Sequence, residues 1–467
     1  MSTVLFLQRR TARHNGQAMV LFLGFAAAMV AMLLVAFNSG QVTNAKMRAM
    51  NAADAAAYSG ALWQARNLNF QAYMNRAIVA NEVTIAQTVT VRSWVAYIDR
   101  FVGNINMIAQ FIPGVNAAVR AVERVIDAVD DTVQRTLPLA ESAIRGLDNL
   151  EHAAQIAFDS AAPLAAQSLA SNVAIANGAQ VSTGGNALIL RNLDTWRGFT
   201  DTYSPGARRQ NNNDRRVRLR EVVLKSRDGF VQERDWKMGL PLTFELRKQG
   251  GTDLLDYDTW KGLDSLQLRT VWNPVKRDWS TKAPVAWGGA QAHAPQEFTG
   301  VGRHGDINEW NDFDGRLARN MSNDNTHSKR LPARLPGYRD LSRTRLQSRT
   351  DPRLPFAVEV VIARNRVPTS EDMPARVATQ RGAVLEVGPQ YQGQDGGVFA
   401  LAEACVAFER PFGQERRDGL VERPSLFNPY WRASMATPSR MARTIVDGAK
   451  GLAPVAALLG GAGSCGQ

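Results

Sequence analysis

From Ala18 to Phe37 the chain runs AMVLFLGFAAAMVAMLLVAF, twenty residues without a charge. At about 1.5 Å of rise per residue, a helix of this length covers the roughly 30 Å hydrocarbon core of a bilayer. A single strand of that length would leave its backbone groups unsatisfied in lipid, so the run is predicted to be helical. Its flanks are unequal. Arg9, Arg10, Arg13 and His14 precede it, whereas Lys46, Arg48 and Asp54 are the charges in the twenty residues that follow. Excess basic charge marks the cytoplasmic side, which predicts a cytoplasmic N-terminus, one membrane helix at 18–38 and the bulk of the chain outside. The opening MSTVLFLQRR puts apolar residues ahead of the basic cluster, unlike the n-region of a signal peptide.

The 467 residues exceed one ordinary domain, and an apolar fraction of 45% can build a core. Residues 1–190 hold 13 Lys/Arg against 11 Asp/Glu, so most of the net +12 lies in the far half. That surplus suits acidic lipid heads, wall polymers or nucleic acid and selects none of them. Two cysteines, Cys405 and Cys465, exclude a disulfide-rich scaffold and a four-thiolate zinc site. They leave open one Cys405–Cys465 bridge or a buried thiol and a loose one.

Three elements arrive in order near the N-terminus: Arg9-Arg10, then Gly16-Gln17-Ala18-Met19-Val20 opening the apolar run, then Asn51-Ala52-Ala53-Asp54-Ala55-Ala56-Ala57-Tyr58-Ser59-Gly60-Ala61. Over residues 9–61 this resembles the N-terminal region of TadE/TadG-like proteins of bacterial Flp (tight-adherence) pilus systems, most similar to the larger TadG-like branch. Leu426-Phe427-Asn428-Pro429-Tyr430-Trp431 resembles a C-terminal signature of large relatives. The resemblance implies a single-pass inner-membrane protein with a periplasmic bulk, acting as an accessory or minor component of a Flp-type pilus or related secretion apparatus. In pilin-type precursors the peptidase cuts after a Gly and a Glu stands five residues beyond. Gly16 fits the cut, but the fifth residue is Leu21, which favours an uncleaved anchor. Implied partners are inner-membrane lipid and pilus or secretion-system proteins, with self-association through helical seams and no nucleic acid.

Beyond the span no Pro appears before Pro113, and Ala, Met, Gln, Arg and Leu are abundant, so the helix is expected to continue outside with breaks at Ser39-Gly40 and Ser59-Gly60. Phe111-Ile112-Pro113-Gly114 reads as a turn. Val115, Val119, Val122, Ile126, Val129 and Val133 then form a heptad-like seam, which Leu137-Pro138 interrupts and Ala143, Leu147, Leu150, Ala154 and Ala157 resume. These stripes pack within an antiparallel hairpin or serve self-association. Asn67, Asn69, Asn75 and Asn81 are expected to be mostly exposed, with a polar contact as the alternative.

From about Gly178 the texture turns to Gly, Asn and Thr, then to alternating strands at Val217–Leu224, Leu242–Arg247 and Leu266–Arg269. Phe356–Ala363 and Val398–Phe408 read as central strands, and Gly288–Asp351 as long loops. The predicted fold is α+β, with the helices segregated from one curved antiparallel sheet. Thr437-Pro438 opens a last helix carrying Met441, Ile445, Val446 and then Leu452–Leu459. The division is a basic leader (1–17), membrane helix (18–38), helical stalk or hairpin (39–177), β-rich extracytoplasmic domain (178–434), and amphipathic helix with Gly-rich tail (435–467).

GxGxxG, P-loop, GxSxG and HExxH are absent, and the five His are unpaired at helical ligand spacing. His304, Asp306, Asn308, Asp312, Asp314 and Gly315 offer oxygen ligands for Ca²⁺ without the EF-hand order, and read better as an Asx-rich loop. Asp340-Leu341-Ser342-Arg343-Thr344 is the nearest string to the DxSxS metal site of some TadG-like proteins, but Leu335-Pro336-Gly337-Tyr338 before it is no buried strand. The Arg run at 208, 209, 215, 216, 218 and 220 lacks interleaved aromatics and reads as a solvated or polyanion-facing surface. Phe427, Tyr430 and Trp431 read as core filling. The expectation is therefore no enzyme, no catalytic residue, no cofactor and no metal. The alternatives are an envelope hydrolase with an acidic site, or an envelope-binding protein or adhesin unrelated to pili.

Overall fold

In the computed structural model the described residues are 17–109, 116–202, 213–255, 259–292, 337–342, 352–370, 397–411, 416–420 and 422–451. Helix α1 (Gln17–Ala109) is continuous for 93 residues, about 140 Å of rise. The expected breaks at Ser39-Gly40 and Ser59-Gly60 do not occur. Each Gly costs about 1 kcal/mol of helix propensity, but good helix formers flank both and packing fixes the second. Helix α2 (Asn116–Ala176) packs back along α1 and runs through Pro138 and Pro163 without ending.

Ten strands follow. Strands β1 (Gln180–Val181), β8 (Arg353–Ile362), β9 (Val398–Phe408) and β10 (Trp431–Ala436) form one antiparallel sheet in that order. Strands β3 (Trp236–Leu240), β4 (Phe244–Leu255), β5 (Thr259–Asn273) and β6 (Asp278–Ala292) form a second, a meander of hairpins. Strands β2 (Thr200–Thr202) and β7 (Arg339–Leu341) make a two-stranded pair. The fold is α+β as the patterning predicted, but the described residues form three sheets in place of one. The region read as loops contributes the end of β6 and all of β7.

The helices are not segregated from the sheets. One face of the β8–β9 sheet (Phe356, Val358, Val360, Ala400, Ala402, Ala404) packs on α1 and α2. The other face (Ala357, Leu401) packs on helices α3 (Thr183–Phe199) and α6 (Arg440–Ala449) through Leu188, Ala442, Ile445 and Val446. Because β8 and β9 are covered on both sides, they read as near-continuous apolar runs. Helix α3 is capped by Ser182, whose Oγ accepts from the Gly185 amide. Its Gly-Gly start looked loop-like because those glycines serve contact: a Cβ on Gly185 would lie 2.4 Å from the Glu359 carbonyl oxygen. Helix α6 is capped by Ser439, one residue after the Pro expected at its first position.

Val217–Leu224, read as a strand, belongs to helix α4 (Asn213–Lys225). Leu219, Arg220, Val223 and Leu224 are buried. That i, i+1, i+4, i+5 pattern fits helical period, and the apparent alternation arose because Val222 and Leu224 are apolar as well. A one-turn helix, α5 (Gly229–Gln232), leads into β3.

Candidate functional site: an anchor helix with two packing chemistries

Residues 18–37 of α1 touch almost nothing in the chain. The best membrane-length window of this helix is unburied, and Met19, Leu21, Phe22, Phe25, Met32 and Leu33 all face outward. An apolar helix left bare over this length is able to span a membrane. Gly16, Arg9, Arg10, Arg13 and His14 lie outside the described residues.

Directly beyond the bare segment the same helix becomes core. Ala45, Ala49, Ala52, Ala53, Ala56, Ala57, Ala61 and Ala65 are buried against the β8–β9 sheet and against Ala162, Ala166, Ala170 and Ala174 of α2. The Asn51–Ala61 motif therefore has a packing reason. Alanine keeps helix propensity high while letting a helix approach its neighbours closely. At Gly60 even a methyl is too large, since a Cβ there would sit 2.1 Å from the Phe356 ring. Asn51 and Asp54 take the outward face.

Further along, the contacts turn polar. The expectation that the asparagines would be exposed is corrected: all four are hydrogen-bonded. Asn67 donates to the Phe158 carbonyl at 2.9 Å. Asn69 pairs with the Trp431 backbone in both directions, donating to its carbonyl and accepting from its amide, each at 2.9 Å. Asn75 donates to the Arg339 and Leu426 carbonyls at 2.7 and 2.8 Å and accepts from Gln155 at 2.7 Å. Asn81 donates to Asp148 at 2.8 Å and to Glu151 at 3.3 Å. Farther still, Arg92 reaches Glu141 at 3.2 Å, Gln134 at 3.1 Å and the Gln291 carbonyl at 2.9 Å, joining α1, α2 and β6. Seven-residue spacing would have revealed this seam, because Gln134, Glu141, Asp148, Gln155 and Ala162 stand one heptad apart.

The apolar seam expected on α2 packs only in part: Val119, Ile126 and Val133 are half-buried. Val122, Val129, Leu147 and Leu150 point away from α1, with Leu150 68% exposed. The polar heptad faces α1 in its place and buries carboxylates. Burial, with the neighbouring charges of Glu82 and Glu151, pushes the Asp148 carboxyl up to about 8. Burial, with a hydrogen bond and charge from Asp127 across the same contact, raises Asp99 to about 6. Glu82 accepts from the Trp260 indole at 2.7 Å. In the second sheet Asp264 is fully buried and takes Arg234 at 2.8 Å, Ser93 at 2.8 Å and Lys248.

Leu426 and Trp431 lie in the main core and Phe427 in the second, while Tyr430 stands under Arg410, 5.0 Å from its ring centroid. Asp340 is buried in β7 and paired with Arg218 at 3.0 Å. Arg220 is buried as well, donating to the Leu254 carbonyl at 2.8 Å, whereas Arg218 stays partly exposed. Cys405 is disulfide-bonded; Cys465, Arg208, Arg209, the His304–Gly315 cluster and Leu452–Leu459 lie outside the described residues. Among the described residues no group of three or more His, Cys, Asp or Glu is placed to hold a metal ion.

A bare helix long and apolar enough to cross a membrane thus continues without a break into the core of an α+β body. Residues 16–65 match the family described as putative Flp pilus-assembly TadE/G-like. The chain thus carries a TadE/G-like domain over the bare segment and the alanine face, which supports a role related to Flp pilus assembly. No curated protein and no solved structure matches the chain.

Proposed function

We propose that this protein is a membrane-anchored accessory or minor component of a Flp-type pilus or a related secretion apparatus, acting through assembly contacts rather than chemistry. The carrying observation is the match over 16–65 falling on a helix that is bare at 18–37 and core from Ala45 onward. The N-terminus lies in the cytoplasm, held there by Arg9, Arg10 and Arg13, and the body stands in the periplasm. The anchor stays uncut: Leu21 offers no charge to pair within a filament. Cutting after Gly16 would remove the basic cluster while leaving α1 apolar. Partners are inner-membrane lipid and proteins of the pilus system.

The test is an in-frame deletion in the native host, complemented by the full chain. Surface pili recovered by shearing should fall at least tenfold and return on complementation. Unchanged pili and unchanged secretion in the deletion strain would overturn the proposal. A periplasmic reporter fused after Gly178 should be active, and N-terminal peptide analysis should recover residues 1–16 joined to the span.

A further inference from the structure

Strand β5 follows α1 away from the span: Trp260 meets Glu82, Asp264 meets Ser93 and Leu266 packs on Tyr97. The sheet then runs on past these contacts. Leu240 pairs with Phe244 to close the first hairpin, Asn273 pairs with Asp278 to close the last, and Phe244 pairs with Thr270. Both turns therefore lie at one end, with the β5–β6 turn projecting farther.

That end is apolar and bare. Leu242 is 66%, Val271 62% and Val275 91% exposed, and Met238 and Leu240 continue the surface back along β3. It is also where the backbone is strained. Among the described residues the non-glycine positions with positive φ are Leu242 (63°), Val271 (61°) and Arg277 (49°), all at this end. A β-branched residue such as Val271 is a steric outlier in the left-handed region. Strain of this kind persists where surrounding structure imposes it, and it collects at functional tips. Behind the apex, Trp272 and Trp279 face each other across the strands, edge to face at 5.3 Å, and Pro241 and Pro274 stand in the turns.

The charges beside this surface are mainly basic. Lys237, Lys276 and Arg277 are exposed, and Arg247 and Arg269 lie one strand in. Glu245 beside them is paired with Arg269 at 3.4 Å. An exposed apolar tip flanked by basic side chains can enter a bilayer surface while lysine and arginine meet anionic headgroups. From Phe37 to Ile105 α1 rises about 100 Å, so the tip stands far from the lipid that holds the span.

We propose that the β3–β4 and β5–β6 turns form a lipid-contacting tip, specific for an anionic membrane surface other than the one anchoring α1. The inference needs the span but not the pilus role. It is tested by placing the full chain in nanodiscs of zwitterionic lipid and floating it with vesicles of phosphatidylcholine alone or with half phosphatidylglycerol. Nanodisc-held protein should float with the anionic vesicles and at least tenfold less with the neutral ones. Leu242→Asp/Val275→Asp should lose at least tenfold, and Lys276→Glu/Arg277→Glu several-fold, with melting unchanged because these side chains are exposed. Failure of the parent to float with anionic vesicles, equal flotation with neutral ones, or unimpaired flotation of the Asp variant would each overturn the proposal.

Discussion

One helix, α1, packs by two chemistries. Between Ala45 and Ala65 it meets the β8–β9 sheet and the end of α2 through alanine and a glycine, and the contact is largely apolar. Between Gln71 and Asn104 it meets α2 largely through amides, carboxylates and arginine, while its other side packs on the β4–β6 strands through a second apolar cluster that includes Val79, Ile85, Ala86 and Val89. The match to the TadE/G-like family ends at residue 65, close to where the first chemistry gives way to the second. The matched segment is thus a bare, membrane-length helix plus a close-packing face, and the polar seam is what this chain builds beyond it. Apolar packing gives close approach. Buried amides give register, since each carbonyl reached by Asn69 or Asn75 can be met in one alignment only.

Substitutions should separate the two sections. Phe356→Ala removes a fully buried ring from the alanine section and should cost about 3–5 kcal/mol in denaturant unfolding. Gly60→Val should cost about 1–3 kcal/mol or more alone, because its side chain meets that ring. It should cost much less in the Phe356→Ala background, and an additive double variant would contradict the contact. In the polar section Asn75→Ala should cost about 1–3 kcal/mol, since it strips partners from two carbonyls and from Gln155.

Asp148 tests the polar section by pH. Its folded state holds a proton that the unfolded chain releases near pH 4, so its contribution to stability falls as pH rises from about 4 to about 8. Asp148→Asn should therefore stabilise by on the order of 1–3 kcal/mol at pH 8 and by little at pH 4. A destabilised variant at pH 8 would show that the carboxylate is needed charged. The smallest effect is expected on the outer face of α2, where Val122→Lys and Val129→Lys should each change stability by less than about 0.5 kcal/mol. A large loss there would mean that this face packs inward after all.

The difference also explains what could be read from the residues. The span, the helix beyond it and strands β8 and β9 were legible because each is set by local apolar pattern. The motif Asn51–Ala61 was legible as a resemblance, but its use was not, since alanine is as common on exposed helices as on packed ones. The polar seam was missed because Asn75, Asp148 and Gln155 look like surface residues until partners arrive from 60 to 350 positions away. The stripe Val122, Val129, Leu147, Leu150 misled for the converse reason: it has the right period and faces outward. The strained tip at Val271 left no local signal, as valine in a strand says nothing of a positive φ.

The central claim is that the matched segment is both anchor and core, and hydrogen exchange on the full chain in lipid nanodiscs tests it most directly. Peptides spanning 45–65 should exchange as slowly as those from β8 and β9, and Phe356→Ala should accelerate all of them together. Exchange of 45–65 within minutes, while β8 and β9 stay protected, would contradict the account and leave α1 a free stalk beside a separate body.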